Sequence, residues 1–86
     1  MLGVAFTSEA FDDYNQWASS DKQVYKRLVM LINDCQRNPF KGIGKPEPLK
    51  HHYKGCWSRR ITDEHRMVYQ VTEHYIVIIS CKYHYL

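Results

Sequence analysis

The 86 residues of the chain suffice for one domain with one core, and hydrophobic residues at 44% with charged residues at 24% are typical of a folded globular protein. This composition argues against disorder, and no apolar run is long enough to cross a bilayer. The formal charge of +3 is uneven, because residues 1–40 carry five acids and four bases while residues 41–86 carry four acids, eight bases and all five histidines. Such a basic half is compatible with a polyanionic partner such as RNA.

The first residues lack the features of a signal peptide and the three cysteines lack metal-ligand spacing, so we expect a cytoplasmic protein with reduced, half-buried thiols and no membrane partner.

The first half of the chain predicts a short strand and two helices. Residues 4–6 are strand-like, and Thr7 or Ser8 is expected to cap the first helix. Asp21 is expected to cap the second helix, which should end before Pro39. The predicted buried stripes are Phe11, Tyr14, Trp17 and Ala18 in the first helix, and Val24, Leu28, Leu31, Ile32 and Cys35 in the second.

The second half predicts a sheet. Glycines and prolines between residues 39 and 50 favour a loop rather than a helix or a central strand. The period then changes to two, and segments near residues 56–61, 66–71 and 75–83 predict an antiparallel meander that the helix hairpin covers on one face. The predicted fold class is α+β, with an N-terminal strand and a two-helix hairpin packed on a C-terminal antiparallel meander, in a single domain over residues 1–86.

Strand alternation sorts the cations of the meander. Arg59 shares a face with Trp57 and Ile61, away from Arg60, although the Arg59-Arg60 pair by itself is typical of strand-edge charge. The residues assigned to the core face are Met67, Tyr69 and Val71, followed by Val77, Ile79, Cys81 and Tyr83. Because unpaired buried charge is costly, the open face or its edge is expected to hold Arg60, Arg66, Lys82 and His84. The other histidines, His51, His52, His65 and His74, are expected in solvated loops and turns.

The open face carries residue types that suit cleavage of a phosphodiester. Pro46 and Pro48 stiffen the chain around Glu47. Cleaving RNA through its own 2′-hydroxyl needs a base, a cation that stabilises the dianionic phosphorane, and an acid that protonates the departing 5′-oxygen. We predict Glu47 as the base, Arg66 as the electrostatic clamp and His84 as the acid. The reaction requires no cofactor, and the sequence offers no carboxylate cluster for a metal ion.

Three further residues are candidates for substrate binding. Lys50 and Arg60 are expected to position neighbouring phosphates, and Tyr85 either stacks on a base or packs against the helices.

Several motifs carry a family resemblance: Phe11-Asp-Asp-Tyr14, Gly44-Lys-Pro-Glu-Pro-Leu-Lys50, Trp57-Ser-Arg-Arg-Ile-Thr62, Glu64-His-Arg66 and Tyr83-His-Tyr85. With these motifs the chain closely resembles the YoeB toxins of bacterial toxin–antitoxin pairs, within the RelE-type superfamily. The resemblance implies a microbial-ribonuclease-like fold and an endoribonuclease that cuts mRNA in the A site of the 70S ribosome and so inhibits translation. It also implies that the catalytic residues are those matching Glu47, Arg66 and His84, assisted by those matching Lys50, Arg60 and Tyr85.

The resemblance further implies a homodimer and a YefM-like antitoxin with a disordered acidic tail, with operator DNA bound only through the antitoxin. One departure is Leu86, since family members end at the tyrosine that matches Tyr85. Two alternatives stay open: a module that binds RNA, ribosome or protein without cleavage, and a corepressor that acts only with its antitoxin. Glu47 discriminates between cleavage and mere binding, because a carboxylate repels phosphate at a binding surface.

Overall fold

Two helices pack on one face of a five-stranded mixed sheet, in a computed structural model that describes residues 1–83. The elements in chain order are β1 (Gly3–Phe6), α1 (Ser8–Ser20), α2 (Lys22–Arg37), β2 (Glu47–Pro48), a short 3-10 helix (His51–Tyr53), β3 (Cys56–Arg60), β4 (Arg66–Val71) and β5 (Tyr75–Ser80). The predicted α+β class is confirmed. Within the described residues, neither helix is both long and apolar enough to cross a membrane.

The strand order is β1-β5-β4-β3-β2. Strands β3, β4 and β5 form the predicted antiparallel meander, while β1 pairs with β5 in parallel and β2 pairs with β3 antiparallel. The two residues of β2 lie in the segment predicted as a loop. They extend the sheet at its edge, where Pro48 is tolerated because an edge strand leaves one row of backbone groups unpaired.

The caps of both helices agree with the sequence. The hydroxyl of Thr7 accepts a hydrogen bond from the Ala10 amide, and Asp21 Oδ1 accepts bonds from the first turn of α2. All five residues of the predicted α2 stripe are buried.

The predicted stripe of α1 is wrong at two of its four positions. Phe11 is 51% exposed and Ala18 is exposed, whereas Ala10 and Trp17 are buried and Tyr14 is half-buried. Ala10 and Trp17 are seven residues apart, which places them on one face of the helix. Phe11 and Ala18 each follow one of these residues in the sequence, so their side chains are rotated away from that face. The aromatic character of Phe11 suggested burial, but its ring lies beside that of Phe6, with ring centres 5.8 Å apart, and stays half-exposed.

The alternation predicted for β5 is also wrong in its first part. Ile76 and Ile78 are fully buried in the helix-side core, while Val77 and Ile79 are half-buried. Cys81 is buried as predicted.

A β-bulge explains this change of phase. Val68 of β4 pairs with Ser80, but the next residue, Tyr69, pairs with Ile78, so Ile79 is an extra residue in β5. An extra residue reverses the alternation on either side of it.

Arg59 is fully buried, in contrast to the strand-edge charge that the Arg59-Arg60 pair suggested. Its Nη1 donates to Asp34 at 2.6 Å and its Nε donates to the hydroxyl of Tyr69 at 3.2 Å. The remaining bonds go to the carbonyl oxygens of Asn38, Lys41 and Ile43. A guanidinium has five N–H donors, so this burial leaves none of them without an acceptor.

The same contacts hold the loop between α2 and β2 in place. Gly42 has φ of +126°, and a Cβ at this position would collide with the carboxylate of Asp34. After this turn the carbonyl of Gly44 accepts a 2.7 Å hydrogen bond from the Arg60 amide. The loop therefore enters β2 from a defined position.

Replacing Asp34 with Asn should lower the free energy of unfolding, because Arg59 would stay buried without the carboxylate that balances its charge. The Asp34 side chain is 34% exposed, so we expect a loss of roughly 1.5–3 kcal/mol, the range for hydrogen bonds to charged groups, in urea denaturation. Asp63→Asn is the matched control, because its 3.9 Å contact with Arg60 is an exposed ion pair, and exposed ion pairs contribute little to stability. Equal stability of the two variants would contradict the role of Asp34.

The stabilisation by Asp34 should also disappear in acid. The hydrogen bond from Arg59 lowers the pKa of Asp34 below its ordinary range, so the unfolded chain binds this proton at a higher pH than the folded chain does. The contribution is complete above an unfolded pKa of about 3.9 and is lost as pH falls through the lower folded pKa. In urea denaturation, the difference between wild type and Asp34→Asn should shrink from about pH 6 to about pH 2. A difference that stays constant with pH would argue against the ion pair.

Candidate active site

Glu47 and Arg66, the predicted base and clamp, meet on the open face of the sheet. Arg66 Nη1 lies 3.5 Å from Glu47 Oε1. The arginine side chain is 15% exposed and the glutamate side chain is 53% exposed, so the carboxylate is the more accessible partner. The sequence prediction that these two groups lie together is confirmed, while their roles stay a prediction.

Strand pairing in the sheet fixes where Glu47 and Arg66 lie. Glu47 pairs with Ser58 of β3, which in turn pairs with Val68 of β4, two residues beyond Arg66. The contact between Glu47 and Arg66 therefore spans the strand that carries Ser58. Ser58 is fully buried, and its Oγ finds no hydrogen-bond partner within residues 1–83.

Arg60 adds a second cation to this face. It pairs directly with Arg66 across β3 and β4, which places both side chains on the same side of the sheet. Like charges directly opposite each other are unfavourable. The only carboxylates that the described residues bring within 4 Å of the two guanidinium groups are Glu47 and, at 3.9 Å, the exposed Asp63. A bound anion such as phosphate would relieve the repulsion.

Lys50 lies close to Glu47 along the chain. An open hollow of ≈ 270 Å³ is lined by Glu47, Pro48, Leu49, Lys50 and His51. Leu49 is buried, whereas Lys50 is exposed, so a charged side chain borders the hollow next to the candidate base. His51 and His52 are exposed in the short 3-10 helix, as the sequence predicted.

The end of the described chain runs beside Arg66. The Arg66 amide donates to the carbonyl of Tyr83 at 3.1 Å, and the Tyr83 amide donates to His65 Nδ1 at 2.7 Å. Tyr83 is 57% exposed, so its predicted place in the core is wrong. His84 and Tyr85, the predicted acid and stacking residue, lie outside the described residues.

Lys82 was predicted on the open face with Arg60 and Arg66, and this prediction is wrong. Its Nζ lies 3.3 Å from Gln16 Oε1 and 5.7 Å from the ring centre of Trp17, both in α1. Strand β5 ends at Ser80, so strand alternation no longer determines where this side chain points.

His65 was expected in solvent but is only 8% exposed. Its ring packs edge-on against Trp17, with ring centres 4.7 Å apart. The signal available in the sequence was Thr62, three residues earlier, whose hydroxyl accepts a hydrogen bond from the His65 amide and fixes the turn. His74, in the next turn, is exposed as expected.

The described residues offer no group of three or more His, Cys, Asp or Glu side chains placed to bind one metal ion. The three cysteines are free thiols; Cys35 and Cys81 are fully buried rather than half-buried, and only Cys56 has the predicted intermediate exposure. Burial raises the pKa of Cys81 to about 12, so this thiol is protonated at neutral pH.

Comparison with known proteins identifies the family. The family model of the YoeB-like toxin of bacterial type II toxin-antitoxin system matches residues 6–85. The chain belongs to this family. The Toxin YoeB of Streptomyces coelicolor is 54% identical over 84 residues, which cover 98% of this chain and 100% of the relative. The resemblance to YoeB toxins seen in the sequence is thereby confirmed.

Solved structures of family members share the fold. A YoeB dimer from Staphylococcus aureus matches with a TM-score of 0.90 and 46% identity, covering 98% of each chain. A heterotetrameric complex of YoeB-YefM toxin-antitoxin from the same organism contains a chain that matches with a TM-score of 0.89 and 45% identity, covering 99% of each chain.

Proposed function

We propose that the chain is an mRNA endoribonuclease that acts on the ribosome, with Glu47, Arg66 and His84 as its catalytic residues. The observation that carries this proposal is the 3.5 Å contact between Glu47 and Arg66. A carboxylate and an arginine next to a second arginine supply a base and a phosphate site at one place. Membership of a toxin family supports an activity that blocks cell growth, and cutting mRNA during translation has that effect.

In the proposed reaction, Glu47 takes the proton of the 2′-hydroxyl, and the 2′-oxygen attacks the adjacent phosphorus. Arg66 binds two oxygens of the resulting phosphorane through its planar fork, which stabilises the added negative charge. His84 gives a proton to the 5′-oxygen as its bond to phosphorus breaks. The products are a 2′,3′-cyclic phosphate and a free 5′-hydroxyl.

The ion pair between Glu47 and Arg66 prepares both groups for this reaction. In the absence of RNA each neutralises the other. A contact of 3.5 Å with a carboxylate that is 53% exposed is a weak ion pair, so a phosphate can replace Glu47 as the partner of Arg66 at little cost. Once Arg66 binds the phosphate, the carboxylate of Glu47 is available as a base.

Neighbouring residues would hold the rest of the RNA. Arg60, directly opposite Arg66, is suited to a flanking phosphate, as is the exposed Lys50 beside Glu47. Tyr85 would stack on a base or pack against the helices. Side chains supply the base, the cation and the acid, so the proposed steps need no cofactor.

The partners follow from the family. We propose a homodimer and a complex with a YefM-like antitoxin, of the kinds solved for the related toxins from Staphylococcus aureus. An acidic antitoxin segment would complement Arg60 and Arg66 and so compete with mRNA on the 70S ribosome. Operator DNA would be bound only through the antitoxin, and the toxin would act in the cytoplasm.

Glu47→Gln should abolish most of the cleavage, because an amide cannot accept the 2′-hydroxyl proton. Loss of a general base typically lowers the rate by about 10²–10⁴-fold. Primer extension on an mRNA translated by purified ribosomes measures the cut, and sedimentation with ribosomes measures binding, which should stay nearly unchanged. His84→Ala should behave in the same way.

Glu73→Gln is the matched control, because this glutamate is exposed in the turn between β4 and β5, and it should cleave as wild type does. Equal cleavage by wild type, Glu47→Gln and His84→Ala would refute the assigned roles. Ribosome binding by a wild type that never cuts would favour the non-catalytic binding module instead.

A further inference from the structure

His65 is a buried imidazole that takes no part in the steps proposed above. Its ring lies between Trp17 of α1 and Tyr83, with ring centres 4.7 and 5.4 Å away. It directly precedes Arg66, the first residue of β4. A histidine in this position lies between the candidate clamp and the last described residue, Tyr83.

The hydrogen bond to His65 defines which ring nitrogen carries the proton. The Tyr83 amide donates to Nδ1 at 2.7 Å. An imidazole nitrogen accepts a hydrogen bond only when it is unprotonated, so the neutral ring carries its hydrogen on Nε2. The next residue, Arg66, donates its amide to the carbonyl of Tyr83. The side chain of His65 and the backbone of Arg66, the first residue of β4, therefore hold both backbone groups of Tyr83.

The turn that carries His65 is itself well anchored. The hydroxyl of Thr62 accepts from the His65 amide, and the carbonyl of His65 accepts from the amides of Ile61 and Thr62. On the other side, the indole of Trp17 donates to the carbonyl of Cys81 at 2.9 Å in the interior. The last described residues are thus fixed by contacts from both α1 and β4.

The backbone of Tyr83 has an unusual conformation that depends on these contacts. Its φ of +59° lies in the left-handed region, which a tyrosine seldom adopts. Such a conformation persists only where surrounding contacts impose it. Without an acceptor at residue 65, Tyr83 would relax toward ordinary φ values.

We propose that His65 is a positioning residue: through Nδ1 it holds Tyr83, the residue that precedes His84 in the sequence, beside Arg66. The inference rests on the proposed function, in which His84 is the acid that protonates the leaving 5′-oxygen. His65 contacts neither RNA nor the reacting atoms, and it acts through Tyr83.

Two variants distinguish the effect of the hydrogen-bond acceptor at residue 65 from the effect of side-chain packing there. His65→Leu fills the space without an acceptor, and His65→Asn provides Oδ1 as an acceptor close to where Nδ1 lies. For His65→Leu we expect about tenfold faster exchange of the Tyr83 amide with solvent and about tenfold lower kcat for mRNA cleavage, with KM for the ribosome complex unchanged. His65→Asn should recover most of both losses. Exchange of core amides such as that of Met67 should not change, which distinguishes a local effect from general unfolding.

His74→Asn is the matched control, because this histidine lies in an exposed turn, and it should match wild type in both measurements. Equal and measurable cleavage by wild type and His65→Leu would overturn the positioning role alone. Absence of cleavage by the wild type would overturn the proposed function, and exchange of the Tyr83 amide would still decide whether His65 holds this residue.

If His65→Leu does not fold, a measurement on the wild-type protein tests the inference. Nitrogen-15 chemical shifts of the His65 ring at neutral pH should report an unprotonated Nδ1 and a protonated Nε2. A proton on Nδ1 would exclude the hydrogen bond from Tyr83 and overturn the inference.

Discussion

The buried guanidinium of Arg59 is the contact on which the arrangement of the site depends. It connects β3 to Asp34 near the end of α2 and to three carbonyls of the following loop. That loop leads into β2, and β2 carries Glu47. Removing one partner from a buried charge is far more costly than losing an exposed ion pair, so the chain has little freedom to place the loop elsewhere. The position of the candidate base thus follows from an interaction on the opposite face of the sheet.

Two adjacent arginines have opposite surroundings because a strand alternates its side chains. Arg59 points toward the helices and satisfies its donors internally, while Arg60 points to the open face opposite Arg66 and stays accessible. One arginine stabilises the fold and the other is available to a phosphate. A single short strand, β3, therefore carries both an arginine that stabilises the fold and an accessible arginine.

Local patterns predicted much of this fold, and long-range contacts account for several of the errors. Periodicity gave the buried face of α2 and the three strands of the meander, because these depend on neighbours within a few residues. The extra residue at Ile79 depends on partners far along the chain, and no local pattern reveals it. For His65, Thr62 indicates the turn, but the ring is buried against the distant Trp17. For the site, the prolines on either side of Glu47 and the alternation of the strands were enough to predict that Glu47 and Arg66 lie together.

In the proposed reaction the RNA supplies its own nucleophile, the 2′-hydroxyl that Glu47 deprotonates. The most direct test replaces the single 2′-hydroxyl at the cleavage position of an mRNA with hydrogen and programs ribosomes with this message. Cleavage at that position should be lost, while the unmodified message is cut to give a 2′,3′-cyclic phosphate and the toxin binds both complexes equally. Undiminished cutting of the deoxy-substituted message at the same position would exclude attack by the 2′-hydroxyl.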